Sequence, residues 1–328
     1  MRSIGREMDA ATGAFSCPHP NALDLCMAPG GFTVSILDRH PDANIKGISL
    51  PRSLGGHSLQ VSHGRMDPRV EVQFMDLTML AGEFGVRLDD IPPQHPEAEQ
   101  FSSARPYKGK KFNLVICDGQ VLRGHSRAKW RESCEATRLT VSQLILGLQR
   151  IKTGGTFIML LHKFEAWNTC TLLRSFNNFS LVFLFKPVQK HAQRSSFYLV
   201  AKDVQPESRS AKETVKEWKK IWYMTTFGSD TGGGSVQEDL GSEEVVAAFL
   251  QDFGPRLVEL GDKIWKTQAR ALEMAPYIKQ SHSNPTTGIG GTGLHLLDSM
   301  AHRYPREKKI EAGESPPVPD HASGNRGG

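Results

Sequence analysis

Four positions place chemistry-bearing residues directly after an apolar run: Gly30-Gly31 after 23–25, Asp76 after 70–74, Asp118 after 112–117 and Lys163 after 156–161. If each run is a strand of an open α/β sheet, all four lie at the carboxyl ends of strands, where such sheets bind ligands. Paired glycines let a backbone approach a ligand closely, and the free amides of the helix start behind them face whatever is bound. The turn is not the dinucleotide fingerprint, because Ala28-Pro29 stands where its first glycine belongs, and no Gly-Lys-Ser/Thr makes it a phosphate loop. A nucleoside cofactor without a pyrophosphate fits better, and S-adenosylmethionine is the common one. A lysine beside a carboxylate in a half-buried cleft can take a proton from a hydroxyl. Each feature has a plainer reading: a simple turn, a capping aspartate, a lysine in solvent. Their recurrence on one edge weighs against the plain readings.

The elements that must position these groups alternate. Strands are expected at 23–25, 44–50, 70–74, 112–117 and 156–161, with helices after Gly31, at 80–88, between Trp130 and Ile151, and at 166–174. A helix is also compatible with 1–14. Gly154-Gly155 reads as the stop of the helix before it. Runs 181–185 and 196–200 are joined by a connection too short for a parallel crossover, so they form an antiparallel hairpin. The expected fold class is α/β, a doubly wound, mostly parallel sheet ending in an antiparallel strand. Past Asp203 the character changes: a basic, aromatic stretch at 211–223, a Gly-rich linker at 228–241, and a long helix at 245–274 bent near Gly254-Pro255. From Ser281 on, glycine, serine, proline and charge predict disorder. The expected division is 1–205, a helical extension 206–280 and a tail 281–328.

Composition narrows the classes. The 328 residues carry 40 Lys and Arg against 35 Asp and Glu, a net charge of +5 that suits a polyanionic partner without requiring one. Five scattered cysteines with no Cys-x-x-Cys pair imply reduced thiols, an intracellular setting and no zinc or other metal site. No apolar run is long enough to span a bilayer, and the N-terminus is not a secretory signal, so a soluble protein is expected.

The motifs also carry a resemblance. Asp24-Leu25-Cys26-Met27-Ala28-Pro29-Gly30-Gly31-Phe32 resembles the cofactor motif of the FtsJ-like ribose 2′-O-methyltransferases of the ribosomal-RNA large-subunit type. Residues 112–119 and 154–163 are similar to that family's next two motif strands, and Lys186-Pro187 with 194–200 to its substrate-side hairpin. The likeness covers about residues 20–202 in order and spacing. It implies a seven-stranded Rossmann-like sheet with an antiparallel last strand. It also implies S-adenosylmethionine, with the methionine part against Asp24, Ala28, Pro29, Gly30, Gly31 and Phe32 and the adenine amine donating to Asp76. Of the family's Lys-Asp-Lys-Glu tetrad, Asp118 and Lys163 match the middle pair, Lys163 as base and Asp118, also beside the cofactor, orienting it.

Departures lie at both ends of that set. No lysine precedes Lys46, which leaves Arg2 and Arg6 as candidates and leads to an expectation of a truncated N-terminus. Ser196 stands at the glutamate position, and Ser49-Leu50 ends the second strand without a carboxylate for the ribose. RNA is the implied substrate, with Lys186, Lys190 and Arg194 on its phosphates. Residues 212–223 read either as a further RNA platform or, preferably, as an amphipathic helix packing its tryptophans inward. The alternative function is a catalytically impaired protein that binds RNA or another partner. A nicotinamide dehydrogenase is disfavoured by the missing fingerprint.

Overall fold

Apolar runs that alternate between two hydrophobic clusters build one seven-stranded sheet in the computed structural model, which describes residues 1–61, 67–122, 124–125, 127–228 and 241–275. The strands are β1 (Asn21–Leu25), β2 (Asn44–Ser49), β3 (Val70–Phe74), β4 (Phe112–Cys117), β5 (Ile151–His162), β6 (Leu181–Phe185) and β7 (Ser196–Val204), in the order β3-β2-β1-β4-β5-β7-β6. The first five run parallel, and β7 is antiparallel to both β5 and β6. The expected α/β class and antiparallel hairpin are therefore what the chain adopts. In β4, Leu114 and Ile116 enter one cluster while Val115 and Cys117 enter the other, the period of two that a strand buried on both faces must have.

On one face lie α1 (Arg2–Thr12) and α2 (Gly31–Arg39). The other face carries α3 (Ala81–Phe84), α4 (Glu135–Arg150), α5 (Trp167–Asn177), α6 (Arg209–Phe227) and α7 (Glu243–Glu273). The helix expected at 80–88 is only one turn, because Gly85 takes φ 92 and closes it. Gly154-Gly155 does not end a helix as expected. α4 passes directly into β5, and the glycines lie inside that strand, Gly154 at φ 79 beside a register shift at Gly155. A glycine within a strand marks such an irregularity as readily as it marks a helix end.

The basic, aromatic stretch is α6, started by Ser208, whose Oγ accepts from Ala211 N–H. Its Trp218 and Trp222 are buried in the sheet's own cluster, and Trp222 Nε1 donates to Thr78 O at 3.0 Å. The preferred inward packing of the tryptophans is therefore realised. α7 is a single helix that contains Pro255 and sends Phe249, Phe253, Leu257, Leu260 and Ile264 into that cluster. Residues 229–240 of the expected linker and the expected tail 281–328 lie outside the described residues. The strand order reverses between β1 and β4, which opens a crevice at their carboxyl ends.

Candidate active site

The crevice is a cavity of about 300 Å³ whose walls include Ala28, Pro29, Ser49, Asp76, Asp118 and Gln120. That volume is at the lower end of the range for small-molecule sites. The turn after β1 is tied to β2: Met27 N–H donates to Ile48 O at 2.9 Å, and Ser49 Oγ accepts from Ala28 N–H at 3.3 Å. Four of the expected cofactor residues, Ala28, Pro29, Asp76 and Asp118, therefore face the cavity.

The other four do not line it. Asp24 is 2% exposed and accepts from Thr33 Oγ1 at 2.6 Å, so it pins β1 to α2. Phe32 is buried and packs edge-on to Tyr198 with ring centroids 5.7 Å apart. Gly30 begins α2 at φ 97, and a Cβ there would stand 2.5 Å from Val61 Cγ2; at Gly31 it would stand 2.3 Å from Met1 Cβ. The glycines are needed here for backbone shape and for close approach of the protein's own neighbours.

Burial pushes the Asp24 carboxyl up to about 7, against the opposing pull of the Thr33 hydrogen bonds. The unfolded chain releases this proton near the ordinary value of about 4, so between about 4 and 7 the folded state binds more protons. The stabilisation is full below about 4 and is lost as pH rises towards 7, a change on the order of 4 kcal/mol. Asp24→Asn keeps an acceptor for Thr33 and removes the titration. Denaturant unfolding at several pH values should show the wild type losing stability relative to Asp24→Asn across this window. A pH-independent difference would contradict the assignment.

Asp76 sits in a buried charge network that the sequence did not reveal. Its Oδ1 accepts from Thr78 N–H at 2.9 Å and from Thr78 Oγ1 at 2.8 Å, and its Oδ2 accepts from Arg131 Nη2 at 2.7 Å. Arg131, 5% exposed, also donates from Nε to Glu135 Oε2 at 3.0 Å, and Arg138 Nη1 donates to the same oxygen at 2.7 Å. Burial raises the Asp76 carboxyl, but the Arg131 charge, with the Arg131 and Thr78 hydrogen bonds, holds it below the usual range. A carboxylate has about four acceptor positions. Three are filled, and one remains for a donor in the cavity, so an adenine amine fits. The i,i+4 pair Arg131–Glu135 was the available signal for this network.

Asp118, expected to orient Lys163, makes no hydrogen bond to it. Asp118 Oδ1 accepts instead from Tyr198 Oη at 3.2 Å, and burial, then the nearby Asp24 charge, pushes its carboxyl to about 7. β4 pairs Cys117 with Met159, which leaves Lys163 well beyond the level of Asp118 along β5. Lys163 is exposed at φ 50, its backbone held by Ser195 O and Ala166 N–H, and its ammonium has no partner among the described residues. Ser196, expected at the glutamate position, is buried away from the cavity with its Oγ unbonded among the described residues.

Lys186 is also not a surface phosphate contact. It is 4% exposed, and its Nζ donates to Arg194 O at 2.6 Å and Ser196 O at 2.9 Å, lacing the hairpin together; burial lowers its ammonium to about 8. Lys190 and Arg194 are exposed on the β6–β7 loop, and His191 of that loop lines the cavity. Among the described residues, no group of His, Cys, Asp and Glu could hold a metal ion, and no helix is long and apolar enough to cross a membrane.

A family model for FtsJ-like methyltransferase matches residues 6–204, which span the whole sheet. The chain belongs to the FtsJ-like methyltransferase family. As an FtsJ-like methyltransferase it uses S-adenosylmethionine, and the cavity with its one open Asp76 acceptor suits that group. Similar solved structures include a ribosomal RNA methyltransferase from Plasmodium falciparum, 20% identical over 61% of this chain and 93% of that one, TM-score 0.39. An rRNA methylase from Streptococcus thermophilus is 11% identical over 61% and 97% of the two chains, TM-score 0.36. Human methyltransferase-like protein 13, in complex with SAH, is 11% identical over 73% and 97%, TM-score 0.35. The comparison with curated proteins gave no match.

Proposed function

We propose that the protein is an S-adenosylmethionine-dependent RNA ribose 2′-O-methyltransferase. The observation that carries this reading is the shared edge. The cavity, the Asp118 carboxyl, the unpartnered Lys163 and the exposed Lys190 and Arg194 all lie at the carboxyl ends of β4 and β5 or on the adjoining loop. S-adenosylmethionine supplies a methyl carbon activated by its sulfonium. When bound it would offer that methyl to a ribose 2′-hydroxyl, and Lys163 Nζ, in its neutral form, takes the proton of that hydroxyl. Asp118, ionised above about 7, stabilises the ammonium that forms as Lys163 takes the proton. Lys190 and Arg194 hold phosphates beside the acceptor, and the rate comes from this positioning together with proton removal.

A second reading has its own observation. Asp118 is held by Tyr198 rather than Lys163, and a buried serine fills the glutamate position, which favours a methyltransferase-fold protein that binds RNA without turnover. Transfer of labelled methyl to RNA, compared with the same sequence as DNA, separates the two. Label on RNA alone supports the enzyme. Cofactor and RNA binding with no transfer supports the binding protein.

A further inference from the structure

At the opposite edge of the sheet lies a second cavity, of about 530 Å³. Its walls come from segments at the amino ends of the parallel strands: Lys111 precedes β4, Arg150 precedes β5, and Pro206 follows the antiparallel β7. β4 alone separates this cleft from the candidate active site by about 20 Å. Seven basic side chains and two carboxylates line it, among the described residues.

The carboxylates neutralise only part of this charge. Glu83 is taken by Arg150 at 2.6 Å, and Glu207 by Lys212 at 3.1 Å and Lys111 at 3.7 Å. Arg105 donates from Nε to Gly82 O, and its guanidinium has no carboxylate partner among the described residues. Lys108, Lys216 and Lys219 have neither a hydrogen bond nor an ion pair from their ammonium groups there. Lys216 and Lys219 stand with Lys212 at i, i+4 and i+7 of α6, on a face beside the one that buries Trp218 and Trp222. Burial lowers the Lys219 ammonium, and Arg105 and Arg150 add to that against the pull of Glu83; a bound anion would relieve this. Among the described residues no aromatic ring lines the cleft, so it offers charge without a surface for stacking bases.

We propose that this cleft is a second RNA contact, which holds phosphodiester phosphates of a segment flanking the methyl acceptor. The inference rests on the RNA reading above and extends it to the far edge of the sheet. Phosphate contacts of this kind position a nucleic acid without reading its sequence.

The test is fluorescence anisotropy of the full chain with a short single-stranded RNA, across roughly 50 to 200 mM salt. The wild type is compared with the triple variant Lys108→Gln, Lys216→Gln, Lys219→Gln. Removing three phosphate contacts should make the slope of log affinity against log salt shallower by about 2. Binding should weaken equally across RNA sequences, while affinity for S-adenosylmethionine stays unchanged and certifies the fold. Wild-type RNA binding with no change of slope or affinity in the variant overturns the cleft and leaves the RNA reading standing. Loss of inorganic polyphosphate binding in the variant with RNA binding intact also overturns it, in favour of a small polyanion. A wild type that binds no RNA removes both.

Discussion

Lys163→Ala is expected to lower methyl transfer to RNA by about 10²- to 10⁴-fold, the usual contribution of a positioned general base. Affinity for S-adenosylmethionine should stay within error of wild type. The side chain is exposed and makes no hydrogen bond or ion pair among the described residues, so truncating it opens no buried cavity. The carboxyl at about 7 on Asp118 adds a second readout. Wild-type transfer should rise as pH passes through about 7, because ionised Asp118 stabilises the ammonium formed on Lys163, and Lys163→Ala should flatten that rise. If cofactor affinity fell as far as transfer did, Lys163 would be a structural residue. Full activity in the variant would remove it from the mechanism.

Arg131→Ala should be the most damaging single change to stability near the site, at about 3–5 kcal/mol. The guanidinium is almost fully buried and bridges Asp76 and Glu135, so its loss leaves the largely buried Asp76 carboxylate without its cation. Arg138 would still pair with Glu135 but not with Asp76. Arg131→Lys should cost less, since it keeps the charge and loses only the planar fork. Adding Asp76→Asn to Arg131→Ala should restore part of the loss, because the one carboxylate left without a cation is gone. Urea unfolding monitored by circular dichroism gives these values. A loss under about 1 kcal/mol for Arg131→Ala would place the network in water and contradict the buried-charge account.

The central strands β1 and β4 were legible as apolar runs buried on both faces, β3 by its alternation, and the hairpin because its connection is too short to cross over. Asp24 was misplaced by its motif although the strand period was informative: Ala22 faces the α1–α2 cluster, and two residues on Asp24 faces Thr33 of α2. Lys186 could not have been placed locally. Its burial depends on carbonyls of Arg194 and Ser196 across the hairpin, and nothing in the residues beside it signals that lacing. Asp76 and Asp118 were found by their strand ends, while their partners Arg131 and Tyr198 came from distant segments. Position along a strand is a local property, whereas a side chain's partner is set by the assembled fold.

The central claim is that the methyl group goes to a ribose oxygen. It is tested most directly by incubating the protein with RNA and methyl-labelled S-adenosylmethionine, digesting the RNA to nucleosides and locating the label. A 2′-O-methylated nucleoside, absent when Lys163→Ala replaces the wild type, is the result expected. Label on a base, or no label from a protein that binds both cofactor and RNA, would contradict it.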